Sequence, residues 1–512
     1  MKRAFPLLLI AFGAAACAGA DDAGEAEGLS SSASSTDPMA SARASCEFRR
    51  GDHHAKTLGD QASVPAGTVD KVVVLILENR SFDHYFGRLN EYVARTTGRA
   101  RGVDGSTSFC NPEHPGDPRS PVHCVEHAPE LCFANTNHEW SGAHAQYNGG
   151  KMDGFFATND GEAEGGKLPA ELLRGQRALT YYDERDLPFY YSLAATFGIG
   201  DHYFSSLLGP TYPNRDFLYA ASSKGYTFNG ALTSNDYAVR GRSDAKEPQL
   251  IFDMLEARGI SWAIYGDSHL GPLETPIVAG VASTIGALGV VSRWGLGSAG
   301  HFKPLRDFYA AAKAGTLPQV TFVDPALTGG ARSSNDEHPP NDVQLGEKLA
   351  SEVVSGLMQG ADWGRAAMFI TWDENGGIYD HVSPPPACPP DGEPMKIDQG
   401  NKEDRAYQQA HPEARFDRYG FRVPVLVVSP WSKPGHVSKR VYDHTSILRF
   451  IETRFDLPAL TARDANADAM LDFFDFRAPT FAAPPALATS GWNVDPVAAK
   501  AREDACRKKF GN

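Results

Sequence analysis

The chain has 512 residues, 42% of them hydrophobic and 22% charged, with a formal net charge of -14. This is globular composition, long enough for one large α/β domain. So acidic a chain argues against nucleic acid as a partner, because neutralising phosphates requires a basic face; electrostatic docking on anionic lipid is disfavoured for the same reason.

At the N-terminus, Lys2 and Arg3 precede the apolar run Leu7–Phe12 and the small residues Ala14-Ala15-Ala16. A basic start, a short apolar core and small residues read as a secretory signal peptide over 1–16. Cys17 follows at once, as in a bacterial lipoprotein signal, so a lipid anchor through Cys17 is an expectation alongside simple cleavage. Residues 17–45 are rich in Ala, Gly, Ser and acidic side chains. Such a segment cannot offset its ordering entropy and is expected to be a flexible tether. One catalytic domain is expected over 46–512. Six further cysteines, Cys46, Cys110, Cys124, Cys132, Cys388 and Cys506, form an even set suited to disulfides in an oxidising compartment. Cys46 and Cys506 are candidates to staple the two ends. A zinc site at the cysteine- and histidine-rich loop, near His114, His123 and His127, is the rival reading.

The run Lys71-Val72-Val73-Val74-Leu75-Ile76-Leu77 reads as a strand buried on both faces. It stops at Glu78-Asn79, and ligands of open α/β sheets bind just beyond such strand ends. Both residues are hard oxygen ligands for a divalent cation. His138 lies in Asn135-Thr136-Asn137-His138-Glu139-Trp140 and is a candidate acid or base. Gly209-Pro210-Thr211 predicts a turn, with a helix from about Asn214 whose N-terminus would seat a phosphoryl group. Thr211 is at that turn, and Arg215 is placed to reach a phosphate oxygen or a carboxylate. Leu250–Arg258 predicts a helix, followed by a strand over 260–265.

Asp336-Glu337-His338-Pro339-Pro340 places titratable residues in a stiff loop, and His338 is a candidate general acid. Leu345, Leu349, Val353 and Leu357 repeat at helical spacing. A second buried strand over 366–371 then ends near Asp373-Glu374. Adjacent carboxylates in a low-dielectric site repel each other, and a bound cation relieves that. Residues 391–418 are polar and read as an insertion, and 423–428 as a further strand. Strands alternating with helices predict an α/β fold, a three-layer sandwich around a largely parallel sheet.

Taken together, these segments resemble the bacterial phosphatidylcholine-type phospholipase C and acid phosphatase family, within the alkaline-phosphatase-like phosphoesterases. The motifs carrying the resemblance are Glu78–Gly87, Asn148–Phe155, Leu187–Tyr191, Leu208–Arg215, Asp336–Pro340, Trp372–Pro385 and Tyr419–Pro424. The resemblance implies a divalent metal (calcium, magnesium, manganese or zinc) held by Glu78, Asn79, Asp373, Glu374 and the nucleophile Thr211. It places His138 and His338 near the phosphate; Arg215, from its position after Thr211, is expected to help stabilise the phosphoryl oxygens. Asn135 departs from the aspartate expected in the pattern leading to His138. The implied reaction passes through a phosphothreonine, on a phospholipid or another phosphoester. Threonine at the nucleophile position and Glu374 in the second ligand pair favour phospholipase C; a broad acid phosphatase and a non-catalytic envelope protein on the same fold are the alternatives. A secreted or cell-envelope location follows from the N-terminal signal.

Overall fold

A computed structural model of the chain describes residues 37–60, 62–161, 168–229, 250–266, 300–327, 334–412 and 416–510. At its centre is an eight-stranded sheet. The strands in chain order are β1 Lys71–Leu77, β2 Gly198–Phe204, β3 Trp262–Gly266, β4 Phe302–Pro304, β5 Val320–Asp324, β6 Ala366–Trp372, β7 Val425–Val428 and β8 Val437–Asp443. They lie in the order β8-β2-β7-β6-β1-β5-β3-β4. β1 sits between β6 and β5, parallel to both.

Every residue of β5, β6 and β7 is buried, as is all of β1 after Lys71, so the β-branched runs fill both faces of the sheet. Helices cover it in two packing groups. In one, the Thr211–Ala220 helix packs on Ile251–Ala257 and His444–Phe455; in the other, Val343–Met358 packs on Leu305–Ala314 and Pro188–Thr196. This is the expected three-layer α/β/α arrangement, with one modification. β7 runs antiparallel to both β6 and β2, so the sheet is mixed.

The predicted strand over 423–428 is shorter than expected and begins at Val425, after Pro424, which cannot donate to a ladder. The helix expected from Asn214 begins three residues earlier, at Thr211. Pro213 is accommodated because an amide in the first helical turn has no intrahelical acceptor to lose.

The end of the expected tether is ordered. Ala40–Ala44 is a helix, and its buried Arg43 pairs with Asp37 at 2.5 Å and donates to the Thr57 carbonyl at 3.0 Å. An arginine with three acceptors within reach overcomes the low apolar content that predicted flexibility there. Cys17 and the rest of that segment lie outside the described residues. All six later cysteines are in disulfides, Cys46–Cys388, Cys110–Cys124 and Cys132–Cys506. The ends of the domain are therefore stapled to its body and not to each other. Cysteines 342 and 374 residues apart close long loops; such bridges typically contribute about 2–4 kcal/mol. Their thiolates are consumed, which removes the zinc alternative. Among the described residues, no helix is long and apolar enough to cross a membrane.

Candidate active site

Strand register builds the site. β1 and β6 are parallel neighbours with Leu77 opposite Trp372. The next residues, Glu78-Asn79 and Asp373-Glu374, therefore leave the sheet side by side at its carboxyl edge. The Asp373 amide donates to the Leu77 carbonyl at 3.1 Å and the Arg80 amide to the Glu374 carbonyl at 3.0 Å, so the two exits stay paired. Asn79 takes a left-handed φ of 61°, a conformation that asparagine tolerates better than most residues. Gly376, at φ 66°, packs against it: a Cβ there would lie 2.8 Å from the Asn79 Cβ.

Two further acids join the ligand pairs. Asp324 ends β5, the other neighbour of β1. The Asp336 carbonyl accepts the Glu78 amide at 2.8 Å. Glu78, Asp324, Asp336, Asp373 and Glu374 are all buried. Burial, together with Asp373 and Asp336, pushes the Glu78 carboxyl well above its ordinary range, against the pull of Arg215. Burial likewise raises Asp373, and takes Asp324 and Asp336 up to about 6.

Arg215 lies among these acids with its side chain 1% exposed. Nε donates to Asp373 at 2.9 Å, Nη1 to Asp324 at 3.4 Å, and Nη2 is 3.5 Å from Glu78. Its guanidinium is shared among three carboxylates, the partner that the sequence offered as the alternative to a phosphate oxygen. Thr211, one helical turn earlier on the same face, is buried at the start of the helix. That helix end offers fewer amides for an anion than its position suggests. Tyr212 donates its amide to Asn229 at 3.0 Å, and Pro213 has none.

His138 is brought to the ligand pairs. Its Nδ1 lies 2.7 Å from the Thr136 carbonyl, which makes Nδ1 the donor and turns Nε2 toward Asn79 Nδ2 at 3.5 Å and Glu374 at 3.9 Å. Thr136 is itself tied to the ligand loop through the Gly376 carbonyl. The His338 ring meets that of His138 edge-on at 5.5 Å, so both histidines belong to one site. Residues 402–410 of the polar insertion form a helix that braces this region: Asp404 accepts from Ser141, and Tyr407 packs on His144.

Glu337, His444 and His84 are held in buried hydrogen-bond and packing roles. Glu337 accepts from Tyr85, Tyr190 and Trp372 at 2.6–2.7 Å, and burial pushes it up to about 7. His444 donates to the Asp373 carbonyl at 2.7 Å and accepts from Tyr203; burial lowers it to about 4. It is thus a neutral prop behind Asp373. His84 is buried against Thr180 and Tyr182. Asp324 was missed, although Val320-Thr321-Phe322-Val323-Asp324 repeats the pattern of an apolar run ended by a carboxylate.

The donor set fits a hard divalent cation. It consists of carboxylate and amide oxygens, it is buried, and one arginine does not satisfy it. Asn79 Oδ1 and Asp324 Oδ2 are fully buried without a hydrogen-bond partner. Tighter three-residue groups exist among the described residues at Asp83–Asp380–His381 and His127–Asp183–Asp186. Each of these already contains a cationic partner, Arg422 in the first and Arg185 in the second.

The helix that begins at Thr211 meets the strand-end acids through Arg215, and comparison with known proteins shows the class to be phosphate-ester hydrolases. Residues 69–458 match the phosphoesterase family, and the chain belongs to it. It is 32% identical over 452 residues to phospholipase C B of Mycobacterium tuberculosis, covering 80% of this chain and 78% of that one. Identity is 30% with the non-hemolytic phospholipase C of Burkholderia pseudomallei, over 83% and 61% of the two chains, and with non-specific phospholipase C6 of Arabidopsis thaliana, over 79% and 72%. Among solved structures, an alkaline phosphatase superfamily protein from Vibrio parahaemolyticus aligns over 75% of this chain and 78% of that one, at 10% identity and a TM-score of 0.31.

Proposed function

We propose that the protein is a metal-dependent phospholipase C that hydrolyses the phosphodiester of a zwitterionic, phosphatidylcholine-like glycerophospholipid. The observation that carries this reading is the buried acid cluster at the ends of β1 and β6, faced by the Thr211 helix. The phospholipase C relatives support the diester as substrate. The acidic chain suits a lipid without net charge.

Glu78, Asn79, Asp373 and Glu374 would hold the cation, with Thr211 completing the set. When bound, it lowers the pKa of the threonine hydroxyl and neutralises charge on the phosphoryl oxygens. Thr211 Oγ gives up its proton to solvent and attacks phosphorus, and the bond to the diacylglycerol oxygen breaks. His138 or His338 donates a proton to that leaving oxygen. Water then cleaves the phosphothreonine, releasing the phosphorylated head group and restoring Thr211.

The test compares p-nitrophenyl phosphorylcholine with p-nitrophenyl phosphate as substrates of purified protein, with and without chelator. Preference for the choline diester, lost by about 10³-fold or more in a folded Thr211→Ala variant, is the expected outcome. Preference for the monoester at acidic pH would make the protein an acid phosphatase instead. Wild-type turnover in Thr211→Ala would remove the nucleophile from the mechanism. A lipid anchor at Cys17, which would hold the enzyme at the cell envelope, is tested by metabolic labelling with a fatty acid, lost in Cys17→Ser.

A further inference from the structure

We propose that Asp324 is a positioning residue for the metal site: it holds Arg215 so that Glu78 and Asp373 remain available to a cation. This rests on the metal-site reading above. Two of the three carboxylates that Arg215 touches, Glu78 and Asp373, are metal ligands of that reading. The guanidinium therefore competes with the cation for the same oxygens. Asp324 is the third carboxylate, and its strand places it on the far side of β1 from Asp373. It is fully buried, and its Oδ1 is shared between Arg215 Nη1 at 3.4 Å and the Tyr219 hydroxyl at 3.5 Å. Its Oδ2 has no hydrogen-bond partner.

That arrangement leaves Asp324 able to take a closer hold on Arg215 when a cation occupies the other two. Arg215 and Tyr219 are four residues apart on one helix, so they reach Asp324 from the same face. Without the Asp324 charge, Arg215 would be balanced by Glu78 and Asp373 alone and would be harder to displace.

The experiment measures divalent-ion binding directly, by competition between the chelator-stripped full chain and a chromophoric chelator for Mn²⁺. Circular dichroism in chelator reports folding. Asp324→Asn is expected to raise the Mn²⁺ concentration for half-saturation by about 10- to 100-fold, the range typical of residues behind a metal ligand. Tyr219→Phe keeps the ring and is expected to raise it by about 2- to 10-fold, the worth of one hydrogen bond. A folded Asp324→Asn variant with wild-type Mn²⁺ affinity would overturn the proposal. If Asp324→Asn does not fold, wild-type affinity in Tyr219→Phe overturns it equally. Failure of the wild type to bind Mn²⁺, Ca²⁺, Mg²⁺ or Zn²⁺ would overturn the metal-site reading and this inference with it. Normal wild-type binding with no turnover of either nitrophenyl ester would leave this inference standing while the substrate reading fails.

Discussion

The segments that follow β1 and β6 build two buried ionic clusters, one closed and one open. The segment after β1 supplies Glu78 and Asn79 to one cluster and, from the helix Phe82–Phe86 that follows, Asp83 to the other. The loop after β6 supplies Asp373 and Glu374 to the first, Asp380 and His381 to the second. In the second cluster Arg422 donates to Asp83 and Asp380 at 3.0 Å each, and His381 reaches Asp83 at 2.6 Å. Backbone amides of Ser106 and His381 take up Asp83, and those of Asp83 and Val382 take up Asp380. In the first cluster Arg215 is divided among three acids, mostly at 3.4–3.5 Å, and buried oxygens go unpartnered. The difference separates a satisfied ion cluster from one whose unmet acceptor oxygens suit the proposed cation. Unmet lone pairs, more than closeness of carboxylates, mark the functional site.

Exchanging one acid in each cluster is the sharpest way to break this comparison. Asp373→Asn should lower turnover by more than about 100-fold and abolish metal retention, exceeding the typical loss for a residue behind a ligand. Its melting temperature in chelator should not fall, because one of several repelling acids has been neutralised. Asp83→Asn should do the reverse. It leaves Arg422 short of a partner and should cost about 3–5 kcal/mol of stability, the usual penalty for breaking a buried pair, with metal binding retained in the folded fraction. Urea unfolding and metal content read both. Equal stability loss in the two variants would erase the distinction.

Metal removal sharpens the comparison from the other side. Ion at about 100 times its dissociation constant should add about 2.7 kcal/mol of stability to the wild type, and none to Asp373→Asn.

The smallest effect concerns pH. Asp324 and Asp336, both raised to about 6, hold protons in the metal-free folded state that the unfolded chain has already released. Glu78 and Asp373 are shifted in the same direction. The stabilising contribution of such groups is fully present below their unfolded values near 4 and is lost as pH rises through about 6. Metal-free protein should therefore melt at a higher temperature at pH 5 than at pH 7. Saturating metal should lessen that fall, because the cation replaces the protons. A steeper fall in the presence of metal would contradict the assignment. Glu337 and Asp380, raised by burial but outside the proposed ligand set, add a background to that shift.

What the sequence by itself determined was local. An apolar β-branched run reads as a buried strand, and a carboxylate ending it then lies at the sheet edge, so the placement of Glu78-Asn79 and Asp373-Glu374 there was legible. Thr211 was legible as the residue of a sharp Gly-Pro turn, although the helix begins there and not at Asn214, because a first helical turn accommodates Pro213. The antiparallel entry of β7, the partners of the six cysteines and the ordering of residues 37–45 were decided only in three dimensions. So was the commitment of Arg215 to three acids, one of them Asp324. Each depends on contacts between residues far apart in the chain, and no local pattern carries that information. Register between β1, β5 and β6 turned three separate strand ends into one charged site, and packing around Arg422 and Arg215 decided which of two acid clusters stayed open.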